Sequence, residues 1–261
     1  MSTVREPAVA GLFYPADPDE LRAMVDGFLA AADASGPAPK ALVVPHAGYV
    51  YSGPVAASGY ARLAGARSTI RRVVLLGPAH RVGFRGLAAS SAKQFATPLG
   101  SIPVDRAAVE DILSLPQVHS LDEAHAQEHS LEVHLPFLQA CLQEFTLVPL
   151  VVGDATAQEV DEVLERLWGG PETLVVISSD LSHYHDYDSA RRLDTATSRA
   201  IEALRPQDIH YEQACGRNPI SGLLVAARKH GLHGKTVDLR NSGDTAGGRD
   251  QVVGYGAYVF N

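Results

Sequence analysis

The sequence predicts an α/β fold: one domain spanning residues 1–261, with a central mixed, mostly parallel sheet flanked by helices. Three observations predict it. Short β-branched apolar runs recur along the chain, segments of helical period stand between most of them, and no repeat, low-complexity tract or long linker interrupts the 261 residues. Strands alternating with helices are the pattern of a layered fold around a largely buried sheet.

The elements follow in order. Asp17-Pro18-Asp19-Glu20 opens the first helix with a capping Asp, a Pro at the first helical position and acids in the first turn. Leu21, Met24, Val25, Phe28 and Leu29 then recur at helical spacing. "ASGPAPK" (34–40) is the loop into the first core strand, 41–44, and further strands are expected at 72–76, 87–90 and 145–152. Thr156 and Glu159 have capping-box spacing, and Val160, Val163, Leu164 and Leu167 share one face behind them. A strand at 174–178 precedes helices at 193–204 and 220–227, the latter with Asn218 as its N-cap and Pro219 as its first residue. Strands at 236–239 and 252–260 close the chain; the last alternates and carries two glycines, which suits an edge or antiparallel strand. The glycine-rich "NSGDTAGGRDQ" (241–251) before it reads as a mobile loop over a site.

Composition narrows the function. Hydrophobic residues make up 46% and charged residues 20%, an ordinary globular balance. With 22 Lys and Arg against 30 Asp and Glu, the net charge is −8, and no basic block marks a nucleic-acid partner. No basic segment followed by an apolar stretch opens the chain, and no apolar run approaches the ~18 residues of a membrane span. Two cysteines, Cys141 and Cys215, without a secretion signal fit a reducing cytoplasm. The G-x-S-x-G elbow, the P-loop and a G-x-G-x-x-G opening a helix are all absent, which excludes the chemistries they serve.

Three strands end alike: "ALVVPH" at His46, "VVLLGPAH" at His80, and "LVVISSDLSHYH" at Asp180 and His183. The carboxyl ends of parallel strands form the crevice where open α/β sheets bind ligands, so neighbouring strands would bring these side chains to one rim. Pro45 ends the pairing and Gly48 is expected to turn the backbone away, with Tyr49 and Tyr51 lining the cleft. Singly, each motif has a plain structural alternative: a Pro-His turn, a Gly-Pro breaker, an Asp180 helix cap. In "ACGRNPISGLL", Cys215 stands just before a helix start. The helix dipole and Arg217 there should favour thiolate, against the alternative of a small buried apolar residue. Cys141, in "PFLQACLQEF", belongs to an apolar helical face. "EHSLEVHLPFL" is not the zinc-protease motif, because His129 and His134 are five apart. Glu128, His129 and His134 are expected instead to support a site from behind, orienting a ligand, or else to belong to an ordinary capped helix.

Together "PHAGYVYSG", "LLGPAH", "EHSLEVHLP", "ISSDLSHY" and "CGRNPISGLL", preceded by "AGLFYP", resemble the motif series of the Memo family, whose prokaryotic members are called AmmeMemoRadiSam system protein B. The resemblance implies a fold like that of the class III extradiol dioxygenases. It implies His46, His80 and Cys215 as metal ligands, Cys215 replacing a carboxylate, with Asp180 and His183 beside the metal and His183 as acid–base group. Arg81 stands where some relatives carry a second histidine. Two imidazoles and a thiolate leave coordination positions open and favour iron, with copper or zinc as alternatives, over Mg or Ca. The expected function is a metal-dependent oxidoreductase of dioxygenase-like type acting on O2, superoxide or an unidentified small molecule. The alternatives are a non-catalytic module that binds a peptide or phospho-ligand through Arg217, Arg249 and the histidines, and a zinc-dependent hydrolase or transferase. Family resemblance also implies association with radical-SAM and AMMECR-type proteins.

Overall fold

A computed structural model describes residues 3–261 of the chain. Its strands are β1 (Val4–Arg5), β2 (Ala41–Val44), β3 (Arg72–Pro78), β4 (Leu87–Ala89), β5 (Gln94–Thr97), β6 (Gly100–Pro103), β7 (Val118–Ser120), β8 (Thr146–Val152), β9 (Thr173–Ser178), β10 (His183–His185), β11 (Gly234–Asn241) and β12 (Val252–Phe260). Its helices are α1 (Pro18–Ala31), α2 (Tyr49–Tyr60), α3 (Arg106–Ile112), α4 (Glu123–Ala126), α5 (Leu135–Cys141), α6 (Ala157–Leu167), α7 (Tyr187–Glu202), α8 (Arg217–Lys229) and α9 (Ser242–Thr245).

The main sheet runs β10-β12-β2-β9-β3-β8-β4-β7, with β11 also paired to β12, and a small sheet joins β1, β5 and β6. The centre of the main sheet is parallel, β2 on β9, β9 on β3, and β3 on β8, and at one edge β7 pairs in parallel with β4. β12 meets β2, and β4 meets β8, in antiparallel fashion, and β10 and β11 are antiparallel to β12. Parallel and antiparallel pairings are therefore mixed across the sheet, and neither prevails. The central strands are buried on both faces, which is why β2 and β9 read as unbroken apolar runs rather than alternating ones. The buried hydrophobics of both faces form one cluster.

Local signals were followed closely in two helices. Asp17 accepts the N–H groups of Asp19 and Glu20, both at 3.0 Å, and Thr156 and Glu159 complete a reciprocal capping box on α6. Three expectations change. α8 starts at Arg217 with Gly216 as N-cap, so Asn218 is not the cap; its side-chain amide donates instead to the Gly153 carbonyl at 3.0 Å. Within 241–251, Asn241 caps a short helix, α9, by accepting the Gly243 N–H, so part of the expected loop is helical. Gly48 has ordinary negative φ as the N-cap of α2, and no glycine-only turn occurs there. Among the described residues no helix is long and apolar enough to cross a membrane.

Candidate metal centre

β2, β9 and β3 lie side by side and parallel, and each delivers a polar side chain two residues past its end: His46 after Val44, Asp180 after Ser178, His80 after Pro78. Cys215 joins them from the turn before α8. Gly216 lets that turn approach: a Cβ there would lie 2.5 Å from the Ser178 carbonyl oxygen. The Gly216 N–H donates to Ser179 Oγ at 2.9 Å, and the Cys215 N–H donates to the Asp180 carbonyl at 3.3 Å. One ligand atom each from His46, His80 and Cys215 lies within 4.8 Å of the others.

Hydrogen bonds fix which nitrogens are free. Ser178 has one hydroxyl proton, and it goes to the Ser130 carbonyl at 2.6 Å, which can only accept. Ser178 Oγ must therefore accept from His46 Nδ1 at 2.5 Å, which leaves the Nε2 lone pair pointing to Cys215 Sγ, 3.5 Å away. Glu128 does the same for His80, taking its Nδ1–H at 2.8 Å and its backbone N–H at 2.6 Å. A metal about 2.3 Å from sulfur and about 2.0 Å from nitrogen at a tetrahedral angle sets those atoms about 3.5 Å apart. The donor set thus fits a metal ion in spacing, tautomer and chemical type.

Burial dominates the electrostatics. It lowers the His46 imidazole well below its ordinary value, helped by His80, His129, His134 and His183, so the ring is neutral and able to ligate. Burial also pushes the Cys215 thiol up to about 12, with the Asp180 charge adding to it. The expected thiolate is corrected here: desolvation outweighs the helix N-terminus, and Arg217 lies over the Tyr211 ring, 5.8 Å from its centre. Glu128 goes the other way. Burial would raise its carboxyl, but the His80 hydrogen bonds and charge and the Ser130 N–H outweigh that and bring it to about 2.

A model of the family of Memo-like proteins matches residues 5–259. The chain belongs to the Memo family. It is 37% identical over 268 residues to a MEMO1 family protein of Aquifex aeolicus, covering 98% of this chain and 99% of that relative. It is 37% identical over 279 residues to one of Methanopyrus kandleri, with 98% of each chain covered, and 38% identical over 274 residues to one of Archaeoglobus fulgidus, covering 98% and 99%.

In this Memo-family chain the other expected residues divide. His129 stacks on His80 with ring centres 4.6 Å apart and stands edge-on to His46 at 5.4 Å, so it belongs to the centre. His134 is fully buried beneath it and neither ring nitrogen has a partner. Asp180 caps no helix: its Oδ1 accepts the His46 N–H at 2.8 Å, its Oδ2 lies 4.0 Å from His46 Nε2, and burial raises its pKa against the pull of His183. Asp180 and His183 sense each other's charge but share no hydrogen bond, so Asp180 does not fix the tautomer of His183. His183 sits on β10, where Tyr184 adopts a left-handed φ of 61° at a register shift. Tyr49 does not line the cleft: it is 1% exposed and donates its hydroxyl to the Val133 carbonyl at 2.7 Å. Tyr51 is 40% exposed. Arg249 lies over the Tyr187 ring at 4.5 Å and does not line the cleft, whereas Arg81 and Arg217 do. Cys141 is a packing residue with its thiol pushed up to about 12 by burial.

The cleft beside His80, His183 and Cys215 encloses about 980 Å³. Sequence reasoning missed what braces it. Glu132 is buried and pairs with Arg5, while accepting the N–H groups of Ala8 and Val9 and the Tyr14 hydroxyl. Phe13 packs on His129 with ring centres 4.7 Å apart, and its carbonyl accepts the Tyr49 N–H. "AGLFYP" is thereby tied to "EHSLEVHLP". An acid at a buried apolar position in the latter was the available signal. Ser178 carried none, since a serine ending a strand is commonplace.

Proposed function

We propose that this protein is a metal-dependent oxidoreductase of dioxygenase-like type that acts on O2, superoxide or a small-molecule ligand. One observation carries the reading: among the described residues His46, His80 and Cys215 converge as three donors, not four, beside an open cleft. Structural zinc sites are closed by four protein ligands, whereas catalytic metals keep a position for substrate. Soft sulfur and imidazole donors suit iron first, and copper or zinc, over magnesium or calcium.

When bound, iron or copper supplies Lewis acidity and a one-electron couple. The chain's own residues do the rest. Ser178 and Glu128 hold the two imidazoles in the ligating tautomer. His183, lining the cleft, gives or takes a proton at the ligand. Arg81, Arg217 and Asn218 line the same cleft and offer donors to an anionic part of the ligand.

Anaerobic reconstitution of the wild type and of His46→Ala, His80→Ala and Cys215→Ala, followed by metal analysis, tests the centre. One metal per chain is expected in the wild type and a loss in each variant; unchanged stoichiometry in all three refutes it. Oxygen and superoxide consumption by iron- and copper-loaded protein tests the redox assignment. Zinc in protein purified without added metal, with no oxygen uptake, would favour a hydrolase or transferase instead. Ligand binding that survives metal removal would favour a binding module.

A further inference from the structure

The cleft beside the centre carries chemistry that a metal alone does not use. Four charged side chains line it, Arg81, Asp154, Glu212 and Arg217, and among the described residues none of them makes a side-chain hydrogen bond or an ion pair. Tyr211 lines it too and is 82% exposed. The Arg217 guanidinium lies over one face of that ring, 5.8 Å from its centre, and the other face is open. The ring stands on an anchored turn. Tyr211–Gln213 form a single 3-10 turn, in which the buried Gln213 accepts the His210 N–H through Oε1 at 2.6 Å and donates its own backbone N–H to the His210 carbonyl at 3.0 Å. Cys215 follows two residues later, so the turn that carries the ring leads directly into the centre.

Size and charge narrow the ligand. About 980 Å³ is at the top of the range for small-molecule sites, roughly 300–1,000 Å³. A diatomic molecule fills little of it. A simple anion would pair with Arg81 and Arg217 but would meet the charges of Asp154 and Glu212 and bring them no donor. An uncharged ring would cover Tyr211 and leave the four charges as they are. A planar ring, an anionic group and hydroxyl donors in one molecule answer all of them, and a nucleotide has this composition. Bases stack on aromatic side chains, guanidinium groups bind phosphate in bidentate fashion, and an acidic side chain accepts the hydroxyls of ribose. The net charge of −8 and the lack of a basic block favour a free mononucleotide over a nucleic-acid chain.

We propose that the cleft binds a free mononucleotide, with its base on Tyr211, its ribose diol at Glu212 and its phosphate at Arg81 and Arg217. This rests on the metal-centre reading: His80 and Cys215 line the same cleft, so the nucleotide is the ligand of that centre. Tyr211 is then the residue that selects a ligand with a base.

The test is isothermal titration calorimetry of zinc-loaded protein with AMP, ribose 5-phosphate and adenosine, after metal analysis and a thermal melt of each preparation. Wild type is expected to bind AMP at least about fivefold more tightly than either fragment, the low end of the ~1–3 kcal/mol that a stacked base contributes. Tyr211→Ala should lose the margin over ribose 5-phosphate, and Tyr211→Phe should keep it, because the ring stacks and the hydroxyl does not. Both variants should melt as the wild type does, since the ring is exposed. Zinc uptake without AMP binding, or with either fragment bound as tightly as AMP, overturns this inference and leaves the centre standing. An unchanged margin in Tyr211→Ala overturns the placement of the base. A single-stranded oligoadenylate that binds more tightly than AMP overturns the free mononucleotide in favour of a nucleic-acid chain. Failure of the wild type to take up zinc overturns this inference and the metal centre together.

Discussion

Ser178 is a single hydroxyl that decides which nitrogen of His46 is free. In Ser178→Ala the His46 Nδ1–H loses its acceptor, the tautomer is no longer fixed, and metal affinity should fall about 10- to 100-fold while the fold persists. Chelator competition measures the loss. Glu128→Gln should act likewise through His80. Glu132 differs, because it supports the fold rather than a ligand. Removing it in Glu132→Ala leaves Arg5 buried without a counter-charge, at a cost of about 3–5 kcal/mol, and should lower the melting temperature by roughly 10 °C. At this scale much was legible: His46, His80 and Cys215 are polar, metal-capable types set where strands or a helix change direction. The Cys215 ionisation was not legible, because a helix start is visible in sequence and the burial that overrides it is not.

Elements reveal why some helices announce themselves and others do not. α1 and α6 carry caps and one-sided apolar spacing, so local chemistry and tertiary packing agree. Thr156→Ala should cost about 1 kcal/mol in a denaturant titration, through loss of the capping box. α2 gave no such sign. It contains Pro54 and two glycines and is buried on most sides, so it shows no one-sided period, and packing overrides its poor propensity. Gly59 and Gly222 mark where helices press closely on neighbours; at Gly222 a Cβ would sit 2.3 Å from Val160 of α6. Gly222→Ala should therefore destabilise by about 1–3 kcal/mol despite alanine's better helix propensity. The three strand ends were readable because double-sided burial writes an unbroken apolar run. The order β2-β9-β3 was not, since pairing between strands more than a hundred residues apart leaves no local trace.

Over the whole molecule, buried imidazoles set the response to acid. Burial lowers His125 to about 4 and His134 to about 3, from an ordinary 6.5. The folded state holds them neutral while the unfolded chain takes up protons below pH 6.5. Their contribution is therefore complete above pH 6.5 and is lost as pH falls towards 4 and 3. Each adds a slope of about 1.4 kcal/mol per pH unit in that window. Urea titrations between pH 7.5 and 4.5 should show stability falling steadily, and His125→Gln should flatten the decline. A bound metal acts on the same balance, so the melting temperature should rise with free iron or zinc and return on chelation.

The sulfur of Cys215 and the imidazole of His46 are 169 positions apart in the chain. Translation proceeds from the amino end, so both imidazoles leave the ribosome long before the thiol is made, and β12 emerges later still. Until Cys215 is made, the candidate centre has its two imidazoles but not its sulfur. If the centre holds a metal, the full set of three donors can meet it only after Cys215 has been made and folded beside His46, so the age of a molecule, counted from its synthesis, sets the earliest moment of three-donor binding.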